Sequence, residues 1–326
     1  MRKLRARTHL WTMRGTFRIS RGSRTETPTI LAEIEEAGKV GKAECVPYPH
    51  YGESNDSVVA EIETVRSAIE SGMSRADLQN ALPAGAARNA LDCALWDLEA
   101  KLSGKRVWEL AGIDQPPPVV SAMTLSLDTP ENMAEAARAS AHLPLLKLKV
   151  TGEGDLERVT AVRGGAPNSR LIVDANEGWR PEMLDRLLPA LAKLGVEMVE
   201  QPLPADSDEA LLGREFAIPI CADESCHTRA DLDRLQGRYP MINVKLDKSG
   251  GLSEALALVR EARARGFRVM VGCMVGSSLA MAPAVLLTPF AEYVDLDGPL
   301  LLANDCQPGL RYDGMTVHPP EASLWG

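Results

Sequence analysis

From Val119 to about Pro299 the chain repeats one pattern: a short apolar run, a helical stretch, then the next apolar run. The runs lie near 119–125, 145–150, 171–175, 196–201, 218–223, 241–246, 268–273 and 292–296. Eight runs spaced by roughly 22–28 residues have the cadence of βα units. A helix after each strand returns the chain to the same end of the sheet, so the strands come out parallel. A parallel sheet needs both faces covered, as an open doubly wound sheet or as a closed barrel. The doubly wound form normally carries a glycine-rich turn after its first strand, and none is present. The reading is α/β: a TIM-like (β/α)7β barrel over residues 116–300.

Residues 1–115 follow a different rule and read as an α+β capping domain. Short strand signals at 27–35 and 40–46 flank Ala37-Gly38-Lys39, a turn sequence. Val58, Ile62, Val65 and Ile69 recur at helical spacing over 57–71. A longer helix is predicted over 85–101, with Gly104 at its stop. Gln115-Pro116-Pro117-Pro118 is stiff and cannot continue a helix, so it marks the boundary. Residues 301–326 lack barrel periodicity and are expected to pack back on the capping domain.

Composition removes several function classes. The formal charge of −9 argues against nucleic acid or an anionic membrane as a partner. The basic start (Arg2, Lys3, Arg5, Arg7) leads into no apolar segment, because Arg14 and Arg18 interrupt it. No uncharged stretch reaches the ~20 residues that a membrane helix needs. The six cysteines show no metal-ligand or CxxC spacing, so they read as reduced and mostly buried in a cytoplasmic protein.

The polar residues inside the apolar runs carry the chemistry. In Leu145-Leu146-Lys147-Leu148-Lys149-Val150, alternation puts both lysines on one face and Leu146, Leu148 and Val150 on the other. If the outer wall of a barrel packs on helices, Lys147 and Lys149 point inward. The next three runs end in carboxylates: Asp174, Glu200 and Asp223. Each sits where a barrel places active-site residues. One such Asp could simply cap a helix. Three on adjacent strands would repel one another without a cation, and an all-oxygen set suits Mg²⁺. On the sixth strand Lys245 shares a face with Asn243 and Asp247, across the barrel from Lys149. Lys248 and Asp247 read as loop residues with no catalytic part. On the eighth strand Asp295 and Asp297 point inward, too far round to join the metal set, and could hold a substrate cation.

The order Lys-x-Lys, Asp, Glu, Asp, Lys on successive strands resembles the enolase superfamily, within its muconate-lactonizing-enzyme-like subgroup. The Asp295-x-Asp297 pair resembles the dipeptide epimerases, and the chain as a whole resembles the L-Ala-D/L-Glu epimerases among them. The likeness includes Ser20-Arg21-Gly22-Ser23-Arg24, Pro47–Ser54, the helix over Gly85–Asp97, and Cys221–Thr228. It implies one Mg²⁺ per subunit on Asp174, Glu200 and Asp223, and a dipeptide substrate whose α-ammonium binds Asp295 and Asp297. It implies Lys149 and Lys245 as the two bases, with Lys147 helping to stabilise an enediolate. Asn176 and Glu224 are implied as supporting residues, and Arg24, with Arg21 as rival, as the partner of the glutamyl side chain. Tyr48, His50 and Tyr51 are implied in a loop that excludes water. The cellular setting implied is murein peptide metabolism.

Other reactions of the same barrel compete: a cycloisomerase, an o-succinylbenzoate synthase or a dehydratase. The dehydratases place a His at the end of the seventh strand, where this chain has Val271-Gly272-Cys273-Met274-Val275. The synthase and cycloisomerase need no cation site at Asp295 and Asp297. A non-catalytic binding protein on the same scaffold is disfavoured by the complete lysine and carboxylate set. Oligomeric state is left open.

Overall fold

The computed structural model describes residues 2–326. Strands β1 (Lys3–Ile19), β2 (Gly22–Glu36) and β3 (Lys39–Cys45) form an antiparallel sheet with β2 in the centre. The β2–β3 turn falls at Ala37 and Gly38, both with positive φ, within the predicted turn. Strand β1 has no counterpart in the sequence reading. It is an edge strand that buries only Leu4 and Met13, so its many polar residues leave no clean alternation.

The helical stretch over 57–71 divides at Val65 into Asn55–Thr64 and Arg66–Glu70. The longer helix runs Ala86–Ser103 and stops at Gly104, whose φ of 71° suits glycine. It lies so close on β3 that a Cβ at Gly41 would overlap the Ala94 carbonyl. The same helix ties the sheet to the second domain. Arg88 donates to the carbonyls of Ser249 (2.7 Å) and Gly250 (3.1 Å), and Asn89 donates to Asp247 at 2.8 Å.

Strand β4 (Val119–Val120) precedes eight parallel strands: β5 (Met123–Leu125), β6 (Leu145–Lys149), β7 (Arg170–Asp174), β8 (Val196–Glu200), β9 (Ile220–Ala222), β10 (Met241–Val244), β11 (Arg268–Val271) and β12 (Tyr293–Val294). They pair in chain order, and the Ala122 N–H donates to the Val294 carbonyl at 2.7 Å, joining the two ends. The run at 119–125 is therefore two strands, because β4 pairs with the hairpin of β13 (Tyr312–Asp313) and β14 (Thr316–Val317) instead. Two connections depart from the pattern: β9 to β10 holds only a 3-10 turn and a four-residue helix, Leu232–Leu235, and β8 to β9 a single 3-10 turn, Glu209–Leu211, in place of a full helix. Buried Asp208 braces that stretch by accepting from Tyr239 Oη (3.0 Å) and Ser225 Oγ (2.7 Å).

Inside the barrel, one apolar layer takes a residue from each strand or the residue leading into it: Ala122, Leu145, Ile172, Met198, Cys221, Met241, Met270 and Tyr293. The outward residues, such as Leu146, Leu148, Val173 and Val199, join the large core under the helices. At roughly 1.5–3 kcal/mol per buried large side chain, the inner layer is a stable floor. Positions two residues further along each strand must then point inward above it. At the far end of the chain, Trp325 Nε1 donates to the Cys93 carbonyl (3.1 Å) and the Gly326 N–H to Asp97 (2.7 Å). No helix among the described residues is long and apolar enough to cross a membrane.

Candidate active site

Two residues beyond the apolar floor stand Thr124, Lys147, Asp174, Glu200, Asp223, Asn243, Gly272 and Asp295. All of these except glycine present a polar atom, and all are buried. Strand periodicity thus converts a hydrophobic layer into a polar one in a single step. Above it come Lys149, Lys245 and Asp297, also buried.

The carboxylates of Asp174, Glu200 and Asp223 each offer an oxygen, and these three oxygens lie within 4.8 Å of one another. Lysine ammonium groups neutralise them. Lys147 Nζ stands 2.7 Å from Glu200, 2.7 Å from Asp295 and 3.2 Å from Asp174. Lys149 bonds Asp174 at 2.6 Å, and Lys245 bonds Asp223 at 2.6 Å. Burial would raise Asp174 and Asp223, but Lys149 and Lys147 for the first, and Lys245 and Lys248 for the second, outweigh it and hold both carboxyls low. Glu200 goes the other way: burial, then repulsion from Asp174, push it up to about 7. Burial disfavours the ammonium of Lys147 and Lys245, yet the surrounding carboxylates win and hold both above the usual lysine range. Repulsion among the clustered lysines is the smaller effect here.

This donor set fits a divalent cation. Among the described residues, five buried acceptors without a hydrogen bond concentrate at this end of the barrel: Glu200 Oε2, Glu224 Oε2, Asp295 Oδ1, Asn176 Oδ1 and Asn243 Oδ1. Glu200 Oε2 has only an ion-pair contact, with Lys147. Three clustered carboxylates, all oxygen donors, suit Mg²⁺. Lys149 and Lys245 each bond one of these carboxylates, Asp174 and Asp223.

Lys149 and Lys245 face each other. Strands β6 and β10 are separated by three strands in either direction around the closed sheet, so their inward side chains approach the axis from opposite walls. Asp295 and Asp297 both lie inward. Asp297 accepts from the Thr124 N–H at 2.7 Å, and burial, then Asp295, raise it to about 7. Asn176 donates to Glu224 at 3.4 Å, and burial, then repulsion from Asp223, bring Glu224 up to about 7.

The two arginines of the first domain separate. Arg21 is engaged through both terminal nitrogens: it donates to Glu224 (2.6 Å), Glu177 (3.0 Å), the Asn176 carbonyl (3.0 Å) and Tyr48 Oη (3.1 Å). Arg24 is half-buried, lies over the Phe17 ring at 5.8 Å, and makes no ion pair among the described residues. Burial lowers its affinity for its proton. It lines a cavity of about 500 Å³ together with Phe17, Tyr48, Lys149, Asn176 and Met274. Tyr48, His50 and Tyr51 form one aromatic cluster, and Tyr51 meets His227 of the barrel edge-on at 4.6 Å.

Sequence reasoning missed four residues here. Lys248, read as a loop residue, is fully buried and donates to Asp223 Oδ1 at 2.6 Å and the Asn243 carbonyl at 3.0 Å. Asn243 donates to Glu200 at 2.7 Å; its place two residues before Lys245 was the available signal. Gly272 leaves room for that amide, because a Cβ there would come within 2.7 Å of it. Gln201, at positive φ, accepts from the Asp223 N–H at 2.8 Å.

Two family models match nearly the whole chain. "Mandelate racemase / muconate lactonizing enzyme, N-terminal domain" covers residues 1–112, and "Enolase C-terminal domain-like" covers residues 131–323. The L-Ala-D/L-Glu epimerase of Escherichia coli is 49% identical over 98% of this chain and 100% of its own length. The chain belongs to the dipeptide epimerases of the enolase superfamily. A family member from Agrobacterium tumefaciens, solved with sodium and L-Ala-L-Glu, superposes with a TM-score of 0.98 at 48% identity, covering all of both chains. The dipeptide epimerase of Enterococcus faecalis, solved with Mg and L-Leu-L-Tyr, gives 0.91 at 28% identity over 98% of this chain and 97% of that one.

Proposed function

We propose that the chain epimerises L-Ala-D/L-Glu and related dipeptides by moving a proton between two lysines on opposite sides of the C-terminal residue's α-carbon. The diametric placement of Lys149 and Lys245, with the carboxylate arc between them, carries this reading. In it, Asp174, Glu200 and Asp223 hold magnesium. When bound, Mg²⁺ supplies positive charge beside the substrate carboxylate, whose oxygens become more negative as the α-proton leaves.

The chain's own residues do the rest. Asp295 and Asp297 take the α-ammonium and Arg24 the glutamyl carboxylate, which fixes the dipeptide at both ends. Lys147, fully buried, adds a cation near the developing enediolate. A cation on Asp174 and Asp223 would offset the charge that holds their lysine partners as ammonium, and one of Lys149 and Lys245, as a neutral amine, removes the α-proton from its own face. The other, as ammonium, returns a proton to the opposite face, and the centre inverts. Asn176 and Glu224 support the arc. Tyr48, His50 and Tyr51 keep water out. Six unpaired cysteines support a reducing, cytoplasmic setting.

The test is hydrogen exchange in D₂O with Mg²⁺, read by proton NMR on each pure epimer of L-Ala-Glu. Wild type should exchange and invert both. Lys149→Ala and Lys245→Ala should not invert, and each should exchange a different epimer with retention. The same epimer exchanged by both variants, or epimerisation by either at near wild-type rate, rules out the two-base assignment. N-acetylglutamate, which lacks the ammonium, should turn over poorly; turnover equal to that of the dipeptide would remove the role given to Asp295 and Asp297.

A further inference from the structure

The loop after β7 holds two non-glycine residues in succession at positive φ, Asn176 at 43° and Glu177 at 66°. That conformation is costly for ordinary side chains and persists only when the surroundings fix it. Here the Asn176 N–H donates to Asp174 at 2.9 Å, and the Glu177 N–H donates to the Gln201 carbonyl at 2.8 Å. The strained pair is thus riveted to the ends of β7 and β8, beside two of the three clustered carboxylates.

What the strain exposes is an acceptor surface aimed at the capping domain. Glu177 Oε2 stands 3.0 Å from Arg21 Nη1 and 2.8 Å from His50 Nε2, while Oε1 accepts from the Ala205 N–H at 2.8 Å. The Asn176 carbonyl accepts from Ser20 Oγ at 2.9 Å and from Arg21 at 3.0 Å. Arg21 lies in the β1–β2 turn and His50 in the separate 3-10 turn Pro49–Tyr51. Two loops of the cap therefore converge on one carboxylate of the barrel. Arg24, three residues beyond Arg21, stands on β2 where it leaves this turn.

We infer that Glu177 is a positioning residue, the catch that holds both capping loops closed over the site and so sets where Arg24 stands. It touches neither the carboxylate arc nor the cavity that Arg24 lines. Its effect on turnover is routed through Arg21 and His50. A loosened catch leaves the site intact and costs binding, because closure and the ordering of Arg24 must then be driven by the substrate.

The kinetic side rests on the epimerase reading; the exchange side needs no substrate, so the two can fail separately. The experiment compares wild-type full-length protein with Glu177→Gln, both loaded with Mg²⁺. The amide keeps an acceptor for Ala205 but removes the charge. Hydrogen–deuterium exchange read by mass spectrometry should speed up at least fivefold in segments 18–26 and 47–53, with the barrel strands unchanged. KM for L-Ala-L-Glu should rise about tenfold, with kcat within threefold. Adding His50→Gln to the variant should accelerate segment 47–53 no further, since both changes break one contact. Unchanged exchange in either segment, or a fall in kcat with KM unchanged, overturns the inference. If Glu177→Gln does not fold, His50→Gln alone decides it: segment 47–53 must loosen, and unchanged exchange there overturns the inference.

Discussion

Replacing Arg24 by methionine tests the proposed specificity with little risk to the fold, because Arg24 has no ion-pair partner among the described residues to lose. Its guanidinium is half-buried beside a cavity of about 500 Å³, and in the proposed reading it meets the ligand there. A buried ion pair that loses one partner costs ~3–5 kcal/mol, and the half-exposed setting argues for the lower end. About 3 kcal/mol corresponds to roughly two orders of magnitude in kcat/KM. L-Ala-L-Glu should lose that much, since its side-chain carboxylate would enter the cavity unpaired. L-Ala-L-Leu has no such charge and should lose nothing, or gain as the cavity becomes more apolar. The ratio of the two kcat/KM values, measured by proton exchange on both dipeptides, should therefore change by about a hundredfold. Arg24→Lys should fall between, keeping the charge without the two-pronged geometry. The melting temperature of Arg24→Met should be no lower than that of wild type. A ratio that does not move refutes the assignment, whatever happens to the absolute rates.

Chelation should abolish epimerisation and Mg²⁺ restore it, and Asp223→Asn should cripple turnover with the circular dichroism spectrum unchanged; full activity in chelated enzyme would refute the metal site. Gly272→Ala should push Asn243 off Glu200, raising the Mg²⁺ concentration for half-maximal activity about tenfold while the fold holds, and an unchanged metal requirement would show that Asn243 does not orient Glu200. Asp92 is fully buried and raised to about 6 by burial. A carboxyl raised in the folded state stabilises it below the unfolded pKa and loses that contribution as pH rises through the folded value. Relative to Asp92→Asn, wild type should therefore lose about 2 kcal/mol between pH 4 and pH 7. Urea titrations at both pH values read this, and a constant difference would contradict it.

Much of the barrel site was legible because a strand has a period of two and its outer face was visibly apolar. Leu146 and Leu148 had to meet helices, which left Lys147 and Lys149 no direction but inward, and the same parity placed Asp174, Glu200, Asp223, Lys245 and Asp295. What parity cannot see is where a chain turns back. Lys248 lies in a four-residue helix, Leu246–Ser249, that returns its ammonium to Asp223. A spacing argument carries no information about that return, so a fully buried cation beside the carboxylates read as a loop residue with no catalytic part. Gln201 and Glu177 escaped for the same reason, since their partners stand 22 and 156 positions away. Strand β1 escaped for the opposite one: an edge strand with two buried residues has little pattern to display.

The separation of Arg21 from Arg24 shows what long-range contacts add to local pattern. Both arginines sit within one short basic segment, and no periodicity distinguishes them. The hairpin does. Arg24 has rejoined strand pairing opposite Phe17, and Arg21 remains in the turn, next to the barrel. From there Arg21 pairs with two carboxylates, Glu177 and Glu224, through its terminal nitrogens. Arg24 bears a desolvation cost that no carboxylate among the described residues offsets by pairing with it. In the proposed reading a substrate carboxylate completes the pair. Charge alone made both residues candidates; the difference between a paired charge and an unpaired one is what favours Arg24 over Arg21 for recognition in the proposed reading.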